Sequence, residues 1–187
     1  MNKYKRIILV GKGAAGKDYA RKILSEDMGM KYGVSYTTRP AREEEIEGVD
    51  YYFKTIDDFQ YMDSKNEWYE YVQFNGWLYG TTKAQFYDNC NVFIMTPSGL
   101  SHLNLEDRND SFVLYFEIPE DIRRERMLQR KGNADDVERR LKADEKDFAN
   151  FINYNYMITD PNYHADVIYE IVRREMATKL IQRVENG

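Results

Sequence analysis

Apolar positions along this chain fall into short runs separated by polar, glycine-bearing stretches, and two periods alternate. Residues 6–10 read as a strand, Arg6 leading into a four-residue apolar run closed by Gly11, the pattern of a strand buried on both faces. A glycine-rich turn over 11–16 leads into helical spacing to about Met28, and after Gly29 a second short strand is predicted over 32–38. The buried-strand pattern returns at 91–96 and 111–117. A helical stretch follows each, over 98–107 and 119–130, with Pro119 where a first helical turn tolerates it. Residues 133–151 read as a charged helix with a cap-like start, 154–159 as a last strand, and 163–184 as a closing amphipathic helix. This alternation predicts an α/β fold, with a parallel sheet of about five strands covered by helices on both faces. Such sheets bind ligands beyond the carboxyl ends of their strands.

Residues 34–86 break the alternation. Tyrosines and paired charges crowd this segment, and Asn75-Gly76 sits between two strand-like runs, 68–74 and 77–81, a strong hairpin signal. A small, largely antiparallel β insertion is predicted here, with a short helix over 56–65. The whole then reads as one unit: core 1–33, 87–128 and 142–187, insertion 34–86, and lid 129–141.

Composition narrows the function classes. The chain has 187 residues, 42% hydrophobic and 14% aromatic, enough for a sizeable core. Thirty-two per cent of residues are charged, with a net charge of −5 and an isoelectric point near 5.2. That balance argues against a nucleic-acid or membrane-surface binder. The single cysteine, Cys90, forms no internal disulfide and fits a reducing compartment. The first apolar run is too short for a signal-peptide core or a membrane span, so a cytoplasmic protein is expected. His102 and His164 are too isolated to form a metal pair.

The chemistry begins at Gly11-Lys12-Gly13-Ala14-Ala15-Gly16-Lys17, a GxxxxGK phosphate-binding loop lying between a buried strand and a helix. Its backbone N–H groups wrap a phosphate, and Lys17 adds a full charge near the β- and γ-phosphates of ATP. The hydroxyl residue that usually follows the lysine is here Asp18. Its carboxylate either meets Mg²⁺ as a hard oxygen ligand or is simply an acid favoured in a first helical turn.

Arg39 and Arg42 lie three apart, with Tyr51 and Tyr79 downstream. Guanidinium forks pair with phosphate oxygens, and tyrosine hydroxyls donate to the same oxygens, so these four would hold a monophosphate in line with ATP. Arg42 also fits a surface pair within the charge run 42–45.

The segment Ser35-Tyr36-Thr37-Thr38-Arg39-Pro40-Ala41-Arg42, then Gly48-Val49-Asp50-Tyr51-Tyr52-Phe53, resembles the S-x-T-T-R-x-x-R…G-x-D-Y-x-F signature of the guanylate kinase family. Glu70, Gly76 and Tyr79-Gly80-Thr81-Thr82 continue the likeness. The resemblance covers most of the chain and implies a P-loop kinase that passes the γ-phosphate of ATP, with Mg²⁺, to a nucleoside monophosphate, GMP or dGMP favoured. It implies that Glu70 accepts from guanine N1–H and N2–H₂, with Ser35 and Thr81 as hydroxyl partners; without it, Glu70 reads as a solvated strand residue. It also implies that Arg126, Arg130 and Arg140 are lid arginines closing over the phosphates, Arg139 competing with Arg140 for its place. Arg123 and Arg124 read as partners of nearby acids. Where the family carries two aspartates, Ile94 and Thr96 stand here. Thr96 retains a hydroxyl for substrate, Asp18 takes over the carboxylate role, and guanine is less firmly specified. Two other readings remain: a kinase with a different or broader (deoxy)nucleotide acceptor, and a non-catalytic binding domain on the same fold. Monomer and homodimer are both left open.

Overall fold

The computed structural model describes residues 4–129 and 137–176. Four parallel strands form the core sheet: β1 (Arg6–Gly11), β6 (Val92–Ile94), β7 (Ser111–Phe116) and β8 (Tyr156–Ile158), in the order β6-β1-β7-β8. Every residue of β1 and β7 is buried, as the continuous apolar runs demand. Their side chains alternate between two cores. Ile7 and Leu9 face a cluster with Phe112, Leu114 and Phe116; Ile8 and Val10 face another with Val113, Tyr115 and Phe93. Helix α1 (Lys17–Lys22) and helix α7 (Ala165–Glu175) cover the first cluster through Ala20, Ile168, Ile171 and Val172.

The expected fifth core strand over 32–38 does not form. Tyr32 makes one parallel bridge to Val92, and Gly33 N–H donates to Val92 O at 2.8 Å. The chain then leaves for a second, mixed sheet in the order β3-β2-β5-β4, where β2 is Tyr36–Thr37, β3 Tyr52–Phe53, β4 Trp68–Phe74 and β5 Trp77–Thr82. Tyr36 and Thr37 pair antiparallel with Gly80 and Tyr79 and parallel with Tyr52 and Phe53. The insertion is therefore β-rich as read, with one parallel edge. Helix α2 (Ile56–Ser64) starts on a reciprocal cap between Thr55 and Asp58.

Helical expectations change in four places. The helix after the phosphate loop continues from α1 as a five-residue π-helical segment, Ile23–Asp27. The single helix over 98–107 is two: α3 (Pro97–Leu100), capped by Thr96, and α4 (Leu105–Asn109), restarted by Asn104, whose side chain accepts from Asp107 N–H. An asparagine that binds its own backbone two or three positions on breaks a helix and opens another. Pro119 caps α5 (Glu120–Leu128) instead of opening it. Helix α7 ends at Glu175, where Met176 is extended and bridges Tyr4; the expected stretch over 177–184 lies outside the described residues. Helix α6 is Val137–Phe148; the cap-like start read at Asn133 lies outside the described residues. No helix among the described residues is long and apolar enough to cross a membrane.

The insertion's hairpin turns where the sequence placed it. Phe74 pairs with Trp77, leaving a two-residue loop in which Asn75 has φ 53° and Gly76 φ 85°. Two consecutive positive φ values match the right-handed twist of the flanking strands. Gly76→Val places a β-branched residue in that conformation and is expected to cost about 1–2 kcal/mol, read as a lower urea midpoint with unchanged slope.

Candidate functional site

A cleft opens between the carboxyl ends of β1 and β6 and the inner face of the insertion sheet. It is lined by Gly11, Gly13, Ala14, Ala15, Gly16, Lys17, Asp18, Ser35, Arg39, Arg42, Tyr51, Glu70, Tyr79, Thr96 and Arg140. Residues as far apart in sequence as Gly11 and Arg140 thus share one cavity.

The phosphate loop is held open by its neighbours. Gly16 has φ 96° and its carbonyl accepts from the Tyr163 hydroxyl at 2.8 Å. A side chain at Gly13 would meet the terminal methyl of Met127 at 2.6 Å and Asp144 Oδ2 at 3.3 Å, so the loop runs close against α5 and α6 at this point. Gly13 N–H donates to Asp144 Oδ2 at 2.9 Å, and the same oxygen accepts from Arg123 Nη1 at 3.0 Å. Asp144 and Arg123 are both buried. The Lys17 ammonium lies across the loop, 2.6 Å from Gly11 O and 2.9 Å from Lys12 O.

On the opposite wall, Arg39 and Arg42 converge on one carboxylate. Arg39 Nη2 reaches Glu45 Oε1 at 2.7 Å and Oε2 at 2.9 Å; Arg42 Nη1 reaches Oε1 at 2.9 Å, and Arg42 N–H reaches Oε2 at 2.9 Å. Burial works against the Glu45 charge, but the Arg42 N–H and the two guanidinium groups outweigh it and hold the carboxyl below its ordinary range. The Arg39 guanidinium also lies 5.2 Å over the Tyr51 ring, and Tyr51 meets Tyr79 edge-on at 6.0 Å. Burial raises the Tyr51 hydroxyl well above its ordinary pKa, so it stays a donor at neutral pH.

Glu70 forms the far end of the cleft. It is 7% exposed, bonded by the Thr81 hydroxyl, and its Oε2 lies 3.1 Å from where a side chain on Gly99 would begin. Burial pushes its carboxyl up to about 7, against the lowering influence of Thr81 and His102. Thr81 is itself buried behind Gly80. Ser35 is buried and bonded to Tyr32. Thr96 caps α3, its Oγ1 accepting from Gly99 N–H at 3.0 Å.

The arginines sort themselves by partner. Arg140 lines the cleft beside Gly13, whereas Arg139 crosses to the hairpin turn, donating to Asn75 Oδ1 at 2.7 Å. Arg126 sits behind the loop, bonded to Ala14 O at 3.3 Å and Pro161 O at 2.6 Å. Arg124 pairs with Glu120 and Glu138. Arg130 lies outside the described residues.

Sequence reasoning missed Glu45, Asp144, Arg21 and Tyr32. Glu45 was hidden in a run of three glutamates, with no pattern to say which turns inward. Asp144 stands four positions after Arg140 on α6, a spacing that puts both on one helix face.

The guanylate kinase family model matches residues 3–179. The chain belongs to the guanylate kinase family. A guanylate kinase of Hyphomonas neptunium is 29% identical over 187 residues, covering 95% of this chain and 85% of that protein. The Bacillus subtilis guanylate kinase is 30% identical over 183 residues, covering 90% and 88%. The crystal structure of guanylate kinase from Anaplasma phagocytophilum superposes with a TM-score of 0.70 at 22% identity, over 96% of this chain and 90% of that one, and supports the fold.

Within this family site, the Asp144–Arg123 pair fixes the phosphate loop to α6. Asp144→Ala leaves a buried guanidinium unpaired and is expected to cost about 3–5 kcal/mol. Calorimetry should show that loss in the single variant and recovery of much of it in Arg123→Met/Asp144→Leu, which removes both charges.

Proposed function

We propose that this chain transfers the γ-phosphate of ATP to GMP, giving ADP and GDP, and accepts dGMP as well. The observation that carries the reading is that a phosphate loop, a cluster of arginines and tyrosines, and a buried glutamate share one cleft. Guanine offers N1–H and N2–H₂ on one edge, and the Glu70 carboxylate accepts both; adenine has no such pair there. The acceptor's phosphate takes the place of Glu45 on Arg39 and Arg42, with Tyr51 and Tyr79 donating to the same oxygens. One of its oxygens attacks the γ-phosphorus in line, the bond to the β-phosphate oxygen breaks, and ADP leaves with that electron pair. No protein nucleophile is needed. Lys17, Arg140 and the loop N–H groups stabilise the moving charge. Arg126 serves by bracing the loop through Ala14 O, and Arg130 is assigned to the lid with it.

The donor set fits Mg²⁺ arriving with ATP. Asp18 supplies one hard carboxylate at the loop, Ile94 supplies none, and phosphates and water complete such a shell. Asp18 would hold the ion or its water there, and the ion would supply positive charge against the phosphates. The cytoplasm, where both nucleotides are made and used, is the compartment this reading implies.

A broader acceptor range and a non-catalytic role are not favoured, because the loop, Lys17 and Glu70 are all in place. The test is ADP formation with each common nucleoside and deoxynucleoside monophosphate. Activity should be confined to GMP and dGMP, and Lys17→Ala should lower kcat by at least about 100-fold. Turnover with adenine or pyrimidine acceptors would sink the role given to Glu70.

The Glu70 pKa sets a pH dependence. GMP binds the carboxylate, yet the empty site holds its proton up to about pH 7. GMP affinity should therefore rise as pH approaches 7 and level off above it. Titration at pH 6 in buffers of different ionisation enthalpy should show about one proton more taken up by the buffer than with Glu70→Gln, in which only the GMP phosphate gives up protons. The empty folded protein shows the opposite sign. A carboxyl raised from 4.5 to about 7 contributes stability that is full below 4.5 and is lost as pH rises through 7.

A further inference from the structure

Four arginines line the cleft among the described residues, and three have hydrogen-bonding or charge partners. Arg39 and Arg42 share Glu45, and Arg140 also has a partner. Arg21 is different. Its guanidinium makes no ion pair and no hydrogen bond among the described residues, yet only 8% of the residue is exposed. A buried cation without a carboxylate or ligand is unfavourable, so the position calls for an anion from outside the chain.

The surroundings say which anion. Arg21 stands on α1 one helical turn after Lys17, so both cations leave the same side of the helix. Its guanidinium packs 5.0 Å over the Tyr32 ring. The Tyr32 hydroxyl bonds Ser35 and lies within electrostatic reach of the Tyr51 hydroxyl and the Asp18 carboxylate. Tyr51 belongs to the cluster around Arg39. Arg21 thus faces that cluster from the core side, across the same cleft. Asp18 lies three positions earlier on the helix, and no ion pair joins it to Arg21. Ile94, on the neighbouring strand, brings no charge to quench it.

We propose that Arg21 is a third arginine of the acceptor site: its guanidinium grips the phosphate of the incoming nucleoside monophosphate from the core wall, opposite Arg39 and Arg42 on the insertion. The inference rests on reading the cleft as the acceptor site. A planar fork matches two oxygens of a phosphomonoester, and ring stacking on Tyr32 presets its orientation. Held from both walls, the acceptor phosphate ties the insertion to the core and points an oxygen at the phosphate loop.

The test separates phosphate from base and acceptor from donor. Steady-state kinetics would be run on wild type, Arg21→Met and Arg21→Lys, with guanosine as a competitive inhibitor lacking the phosphate and thermal melts as a fold control. Arg21→Met keeps the stem on Tyr32 and removes the charge. It should raise the KM for GMP about 10- to 100-fold while leaving the KM for ATP and the inhibition constant of guanosine within about twofold. Should Arg21→Met melt early, Arg21→Lys carries the same comparison, because it keeps charge and stem but loses the fork. Equal weakening of GMP and guanosine, weakening of ATP, or no change in any of them would each overturn the proposal. Wild type that turns over no nucleoside monophosphate would instead remove the acceptor reading itself.

Discussion

Asp144 Oδ2 accepts from Gly13 N–H and from Arg123, and through that one oxygen the helix that follows the lid region is pinned to the phosphate loop. The arrangement depends on a buried ion pair, and such a pair is favourable only when its remaining donors and acceptors are used. Arg123 Nε also donates to Ile118 O at 3.0 Å, two residues past the end of β7, so the pair ties that segment to α5, α6 and the loop. Position 13 lies close against the same two helices, where a side chain would displace the end of Met127 and crowd Asp144. Loop geometry is thus set by the packing behind it more than by the loop's own sequence.

The same electrostatic requirement runs through the rest of the cleft. A site for two polyanions must be cationic, and buried cations need partners when substrate is absent. Glu45 meets this need for Arg39 and Arg42 with a carboxylate whose two oxygens occupy positions that phosphate oxygens can take. The arrangement keeps both guanidinium forks oriented toward one point. At the other end no ion pair reaches Glu70 among the described residues, and burial outweighs Thr81 and His102 to push its carboxyl up to about 7. The cleft therefore has one end where the chain neutralises itself by pairing and another where it does so by protonation.

Much of this was legible in the chain itself, for reasons that can be named. Continuous burial of β1 and β7 requires continuous apolar runs, and Asn75-Gly76 requires a two-residue turn, so core strands and hairpin could be placed from local pattern. The fifth core strand was not legible, because Tyr32–Thr37 has strand character and only long-range pairing decides which sheet receives it. Tyr36 and Thr37 pair with Tyr79 and Gly80, more than forty positions away, and that competition is invisible locally. The split of the 98–107 helix turned on one asparagine side chain. In the site, residues carried by motif spacing were readable, whereas Glu45, Asp144 and Arg21 were not. Each is one charge among many in a charged segment, and burial alone distinguishes it.

Burial also explains why the Arg139 and Arg140 pair could not be resolved from sequence. Adjacent helix residues point about 100° apart, so when one faces the phosphate loop the other faces away from it. The structure gives Arg140 the cleft and sends Arg139 to the carbonyl and side chain of Asn75. That second contact joins α6 to the tip of the insertion. α6 is thus held at the loop by Asp144 and at the insertion by Arg139, with Arg140 between them lining the cleft. A helix anchored at both walls of the cleft moves with neither wall alone, so any displacement of the insertion relative to the core must carry Arg140 with it or break the Asn75 contact.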